Sequence, residues 1–235
     1  MKICGFQKTT LLDFPGHVAA TVFTGGCNFR CPYCHNSELV LQPDLREQIS
    51  ELEIFEFLKK RRGILEGVCI TGGEPTLQKD LEEFIEQVRE LGYLVKLDTN
   101  GYRPEILSRL LERGLLDYVA MDIKASRENY GNATGLREMD VDRISESVSI
   151  LLGQNAKGTD YEFRTTVVKG IHTPEEFERI GQWLEGAGTY FLQSYRESEK
   201  VLVPGRYEAF SAEELAEMAR TARKYIARVE VRGVQ

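Results

Sequence analysis

From about residue 66 onward, short β-rich runs alternate with amphipathic helical stretches, and this alternation narrows the possible folds more than any other feature of the chain. A strand is predicted over 68–71, ending in Gly72-Gly73. A helix over 77–91 follows, with Leu77, Leu81, Phe84, Ile85, Val88 and Leu91 at helical spacing and Gly92 closing it. The pattern then predicts a strand over 93–97, a helix over 104–111, a strand over 118–121, a helix over 140–152 and a strand over 161–168. A helix over 174–184 with Pro174 in its first turn, a strand over 190–193 and a last long helix over 211–228 complete it. Ser211 and Glu214 open that last helix as a capping box. Ahead of the series, 17–24 reads as a strand and 52–62 as a helix carrying Ile54, Phe55 and Leu58. Repeated strand–helix units imply a parallel sheet with right-handed crossovers. About six strands fall short of the eight of a closed barrel, leaving an incomplete barrel and a doubly wound sheet as the two architectures. Both put the chemistry at the C-terminal ends of the strands.

The chain is expected to form a single domain over 1–235, with its core over about 17–196 and the C-terminal helix over 211–228. At 235 residues one core can bury roughly 70% of the surface exposed by the unfolded chain, so no stapling is needed. The formal net charge of −7 argues against a nucleic-acid binder, which would show a basic stripe. No run approaches a membrane span, and the first residues lack a signal-peptide pattern. The expected location is the cytoplasm, where disulfides are rare. Of the five cysteines, Cys27, Cys31 and Cys34 share one loop and read as metal ligands. Cys4 and Cys69 sit in strand-like runs and read as buried packing.

The strand ends carry the chemistry. After the first strand comes Gly25-Gly26-Cys27-Asn28-Phe29-Arg30-Cys31-Pro32-Tyr33-Cys34-His35-Asn36. Three thiolates on one loop suit an iron–sulfur cluster, and three rather than four leave one iron open to a small molecule. A structural zinc site completed by His35 is the alternative, although His35 directly follows Cys34, which makes joint ligation awkward. Thr71-Gly72-Gly73-Glu74-Pro75 ends the next strand, where glycines allow a ligand to approach the backbone. Asp98-Thr99-Asn100-Gly101 and Met121-Asp122-Ile123-Lys124 end the next two; acids there serve as turn formers and caps or as ligand contacts. Arg164 and Gln193 point either to the same mouth or to solvent.

Cys27-x3-Cys31-x2-Cys34, with Tyr33 before the third cysteine, resembles the cluster motif of the radical S-adenosylmethionine (SAM) enzymes. The resemblance implies an incomplete (β/α)6 TIM-like barrel, an α/β fold, holding a 4Fe–4S cluster on Cys27, Cys31 and Cys34. It implies that the open iron chelates the methionine part of SAM, and that Gly72-Gly73-Glu74 receives the methionine amino group, with Gly73 lying against the cofactor. The Tyr-Cys-His-Asn ending, the DTNG segment and the D-x-K segment together resemble the glycyl-radical-enzyme activating enzymes. That subgroup implies cofactor contacts for Tyr33, Cys34, His35, Asp98, Asn100, Asp122, Lys124, Arg164 and Gln193, and a monovalent-cation site at Asp98, Thr99 and Asp122. The stretch Phe191–Arg196 departs from relatives that carry a histidine there.

Thr10-Leu11-Leu12-Asp13-Phe14-Pro15-Gly16, Gly73-Glu74-Pro75-Thr76-Leu77-Gln78 and Tyr118-Val119-Ala120-Met121-Asp122-Ile123-Lys124 are most similar to the activating proteins of anaerobic ribonucleoside-triphosphate reductase. The implied partners are that glycyl-radical enzyme and a flavodoxin- or ferredoxin-type electron donor, with neither nucleic acid nor membrane. The alternatives are a radical SAM enzyme acting on a small molecule, like the 7-carboxy-7-deazaguanine synthases, and a non-enzymatic metal-binding protein. A barrel of six units leaves a gap, which a partner's glycine loop is expected to seal, since little chain remains beyond the last helix to form a lid.

Overall fold

The computed structural model describes residues 1–153 and 158–234. Its framework is one eight-stranded sheet in sequence order: β1 (Ile3–Thr10), β2 (Ala19–Thr24), β3 (Gly67–Gly72), β4 (Leu94–Thr99), β5 (Tyr118–Asp122), β6 (Asp160–Val167), β7 (Thr189–Ser194) and β8 (Arg228–Arg232). β1 pairs antiparallel with β2, and every later neighbour pair is parallel. Strands β2–β7 are the six parallel strands of the expected incomplete barrel, and the sheet adds one strand at each end.

Helices α1 (Ser37–Leu41), α2 (Glu51–Lys60), α3 (Leu81–Glu90), α4 (Pro104–Glu112), α5 (Tyr130–Thr134), α6 (Val141–Leu152), α7 (Glu176–Trp183) and α8 (Ala212–Ala222) fill the connections. Strand alternation separates two chemistries. Val22, Ile70, Leu97, Val119, Phe163 and Leu192 face the helices in the apolar core, where α3 contributes Leu81, Phe84, Ile85 and Val88. Each fully buried aliphatic side chain there contributes about 1.5–3 kcal/mol. The alternate positions on the opposite face include Thr21, Cys69, Lys96, Asp98, Asp122, Glu162 and Arg164, a polar wall inside the curve of the sheet. No described helix is long and apolar enough to cross a membrane.

Three of the boundary differences from the sequence reading have a visible cause. The helix expected over 211–228 stops at Ala222, although its capping box is present: Glu214 N donates to Ser211 Oγ at 3.2 Å and Ser211 N to Glu214 Oε2 at 2.7 Å. Beyond it Arg228-Val229-Glu230-Val231-Arg232 alternates charged and β-branched residues, a strand pattern, and pairs with β7. Arg223 closes the corner, its Nε and Nη2 donating to Val229 O at 3.0 and 2.7 Å. The helix expected over 77–91 begins at Leu81, because Gln78 is extended (ψ 124°). Its side chain links the termini of β1 and β2, accepting from Lys2 N at 2.9 Å and donating to Gly25 O at 3.0 Å. The helix expected over 174–184 begins at Glu176, with Pro174 in the preceding turn.

Candidate active site

The loop after β2 is fixed before any ligand is considered. Gly25 N donates to Lys2 O at 2.9 Å, Gly26 N to Leu39 O at 2.8 Å, and Arg30 N to Thr134 O at 2.9 Å. A second loop, residues 195–211, closes over it. Leu202 N donates to Cys34 O at 3.0 Å and Val203 N to Pro32 O at 2.9 Å. Ser37 Oγ donates to Lys200 O at 2.6 Å, and His35 Nε2 lies 2.5 Å from Arg196 O. All three loop thiols line one cavity of about 190 Å³, together with Tyr33, His35, Asn36, Gly72, Gly73, Glu74, Asp98, Thr99, Asn100, Asp122, Lys124 and Arg164. None of residues 195–211 lines it, so that segment braces the thiol loop from outside. Gln193 is absent from the lining; it sits in register between Thr166 and Arg232. Cys4 and Cys69 are buried elsewhere, with sulfur contacts to Pro43 O at 3.6 Å and Asp98 Oδ1 at 3.8 Å.

The three thiols share one cavity wall, and among the described residues no three His, Cys, Asp or Glu side chains converge on a single metal position. Burial pushes the Cys27 thiol up to about 11 and Cys31 up to about 12, so holding both as thiolates requires positive charge beside them. The hydroxyl of Tyr33 and the Nδ2 of Asn28 are buried with no hydrogen-bond partner among the described residues. Such orphans call for an occupant.

Glycines bring β3 against this loop. Gly72 takes φ +120°, and a Cβ on it would lie 2.3 Å from Thr24 N. A Cβ on Gly73 would lie 1.9 Å from Gly26 O, so backbone rather than cofactor already excludes a side chain at 73. The Glu74 carboxylate turns inward, 1% exposed. It accepts from Thr76 N at 3.1 Å, Thr76 Oγ1 at 2.5 Å, Thr99 Oγ1 at 2.8 Å and Asn100 N at 2.7 Å. It therefore ties the end of β3 to the end of β4 and has little acceptor capacity left for a ligand.

The charged wall below is a relay of ion pairs. Asp98 meets Lys96 Nζ and, at 3.1 Å, Arg164 Nη2. Asp122 meets Arg164 Nε at 2.5 Å and Lys124 Nζ at 2.9 Å. Burial opposes ionisation of both acids and is the largest single influence, but Arg164 together with Lys96 at Asp98 and with Lys124 at Asp122 outweighs it, and both stay below the ordinary carboxylate range. Arg164 is thus a buried arginine with partners, not a solvent-facing one. Behind Lys124, the buried His172 places Nε2 2.8 Å from the Lys124 carbonyl oxygen. Sequence reasoning did not single out Phe29, Val40 or Thr166, which also line the cavity; Thr166 was legible as the next same-face position after Arg164.

A thiol loop after the first parallel strand, a glycine-pinned second strand end and acids on the next two define a partial barrel with a cysteine-bearing cavity at its strand ends. Residues 21–184 match the Radical SAM superfamily, and the chain belongs to that family. It is a radical SAM enzyme, and the family implies a 4Fe–4S cluster and SAM as its resident groups. A protein of Methanocaldococcus jannaschii, named provisionally as a glycyl-radical enzyme activating enzyme, is 31% identical over 99% of this chain and 96% of its own length. A provisionally named GTP 3′,8-cyclase of Thermococcus kodakarensis is 27% identical over 67% of this chain, which spans 50% of the cyclase. Among solved structures, native anSMEcpe with bound AdoMet superposes with a TM-score of 0.59 at 17% identity, over 88% of this chain and 62% of that one.

Proposed function

We propose that this chain is a single-domain activating enzyme that generates a glycyl radical on a partner protein, anaerobic ribonucleoside-triphosphate reductase being the candidate. The observation that carries the reading is the similarity to the M. jannaschii protein, which runs nearly end to end in both chains. The Tyr33-Cys34-His35-Asn36 ending and the Asp98-Thr99-Asn100-Gly101 segment support it.

In this reading Cys27, Cys31 and Cys34 hold the cluster, and a flavodoxin- or ferredoxin-type protein reduces it. Cluster and SAM, held by these residues, would supply the radical chemistry needed to remove a hydrogen atom from the partner's glycine. The chain's own residues bind and shield. Backbone groups of Gly72 and Gly73 face the cavity, Asp122 and Lys124 offer one acceptor and one donor, and Tyr33 and His35 border it from the thiol loop. Thr71 and Thr166 add hydroxyls. Arg164 orients Asp98 and Asp122, and Glu74 holds the strand ends in place. The monovalent cation implied at Asp98, Thr99 and Asp122 stays outside the proposal: both carboxylates already have cationic partners, and Thr99 Oγ1 donates to Glu74 while accepting from Gly101 N at 3.1 Å.

The test is anaerobic reconstitution with iron and sulfide, then reduction in the presence of SAM and the reductase. The expected result is 5′-deoxyadenosine together with a glycyl-radical doublet by electron paramagnetic resonance. SAM cleavage that leaves no radical on the reductase, but is stimulated by a nucleotide or pterin-like small molecule, overturns the activase in favour of a small-molecule enzyme.

A further inference from the structure

Beside the thiol loop lies a pair of carboxamides with an arrangement that cofactor binding alone does not require. Asn100 is 4% exposed and held from several sides. Its backbone N donates to Glu74 Oε2 at 2.7 Å, and its Oδ1 accepts from Tyr102 N at 3.0 Å. The neighbouring Gly101 carbonyl accepts from Ser147 Oγ at 2.6 Å. With Oδ1 engaged by a backbone donor, the amide nitrogen must face the other way. There Nδ2 lies 2.8 Å from Asn28 Oδ1 and 3.8 Å from Cys27 Sγ. An amide nitrogen carries two hydrogens, so one serves each acceptor. Phe29 N reaches the same sulfur at 3.4 Å, and Asn28 keeps a second buried donor, Nδ2, without an acceptor among the described residues.

We propose that Asn100, oriented by Asn28, donates a hydrogen bond to the Cys27 sulfur and thereby raises the reduction potential of the cluster that Cys27 helps to hold. This assigns Asn100 to the cluster rather than to SAM, and it rests on the radical SAM reading of the site. The physical reason is charge. Reduction adds one electron from the one-electron donor, breaks no bond and moves no proton, so negative charge grows on the thiolate and sulfide sulfurs. Fixed N–H dipoles beside those sulfurs stabilise the reduced form more than the oxidised one, and hydrogen bonds to cluster sulfur are a recognised lever on potential. Burial strengthens the effect. Neutral amides accomplish this without adding a cation to a wall that already holds Lys96, Lys124 and Arg164 against Asp98 and Asp122. Asn100 and Asn28 are positioning residues in this account, acting through Cys27.

The experiment is a redox titration of the reconstituted full-length protein, followed by the reduced-cluster resonance signal, for wild type, Asn100→Ala and Asn28→Ala. Asn100→Ala is expected to keep its iron and to lower the one-electron equilibrium constant about tenfold, which corresponds to ~59 mV more negative. Asn28→Ala, which removes the orienting acceptor while leaving the Asn100 amide in place, is expected to shift the same way by less. A second readout needs no variant: wild type labelled with 15N in the asparagine side-chain amides should show a nitrogen coupling to the reduced cluster in pulsed resonance. An unchanged potential in an iron-replete Asn100→Ala, or no such coupling in the labelled wild type, overturns the proposal. If Asn100→Ala fails to assemble a cluster, the labelled wild type decides. A wild type that assembles no reducible cluster overturns the cluster reading of the thiol loop itself, and the proposal with it.

Discussion

Replacing Gly73 with alanine tests whether the second strand end is shaped by backbone contact or by the cofactor. The added Cβ would stand 1.9 Å from Gly26 O and 2.6 Å from Gly26 C, where real Cβ contacts essentially never fall below 3.0 Å. The two backbone segments must therefore part by about 1.1 Å. Gly26 O now accepts from Glu74 N at 2.8 Å, and an opening of that size removes the bond. Overpacking of this kind costs about 1–3 kcal/mol, and an orphaned buried backbone pair costs roughly 1–3 kcal/mol more. A total near 4 kcal/mol in a chain of this size lowers Tm by about 8–16 °C. The assay is thermal unfolding of the cluster-free protein by circular dichroism, with iron content measured after reconstitution. Because Gly26 directly precedes Cys27, the variant should lose cluster as well as SAM affinity. A cluster-free Gly73→Ala protein that melts within about 2 °C of wild type and takes up full iron, yet fails to bind SAM, would refute the backbone argument and restore the reading in which only the cofactor needs a glycine at 73.

Three further outcomes are expected. Alanine at Cys27, Cys31 or Cys34 should abolish stable 4Fe–4S assembly, while Cys4→Ala and Cys69→Ala keep it; loss of iron from a folded Cys69→Ala protein would falsify this ligand set. Arg164→Gln leaves Asp98 and Asp122 short of a partner and should cost about 3 kcal/mol at neutral pH, read by denaturant unfolding of the cluster-free protein. The same two acids have folded pKa values below their unfolded ones, so their stabilisation is present above the ordinary carboxylate range and disappears as pH falls through and below it. Arg164→Gln should flatten that acid-side slope, and an unchanged slope would remove Arg164 as its cause.

The parallel α/β core was legible because each strand and helix carries its own period, and the site because its motifs are contiguous in the chain. What escaped depended on distant partners or on a change of period. Arg228–Arg232 has a strand's two-residue alternation, but it follows the helical run of α8 so closely that it reads as the end of the helix. Cys4 reads as strand-like, but Gly5, Gln7 and Lys8 break the apolar run that would mark a full strand, and pairing with β2 supplies what the composition of β1 lacks. Glu74 stands in a motif that suggests a ligand contact, yet its donors come from Thr76, Thr99 and Asn100, and the last two belong to another strand end. At Gly73 the Gly26 carbonyl excludes a side chain, a contact between two loops that the local motif does not disclose.

The brace across the thiol loop bears on the order in which the protein can be made. His35 meets Arg196 and Ser37 meets Lys200 across separations of 161 and 163 residues, so the loop acquires its last supports only when nearly the whole chain has left the ribosome. Contacts that distant form late, after the entropy of closing the intervening chain has been overcome. Until then the three thiols sit on a loop held only from Lys2, Leu39 and Thr134. A truncation before residue 196 should therefore leave the thiol loop short of these supports, read as faster alkylation of its cysteines than in the full-length protein.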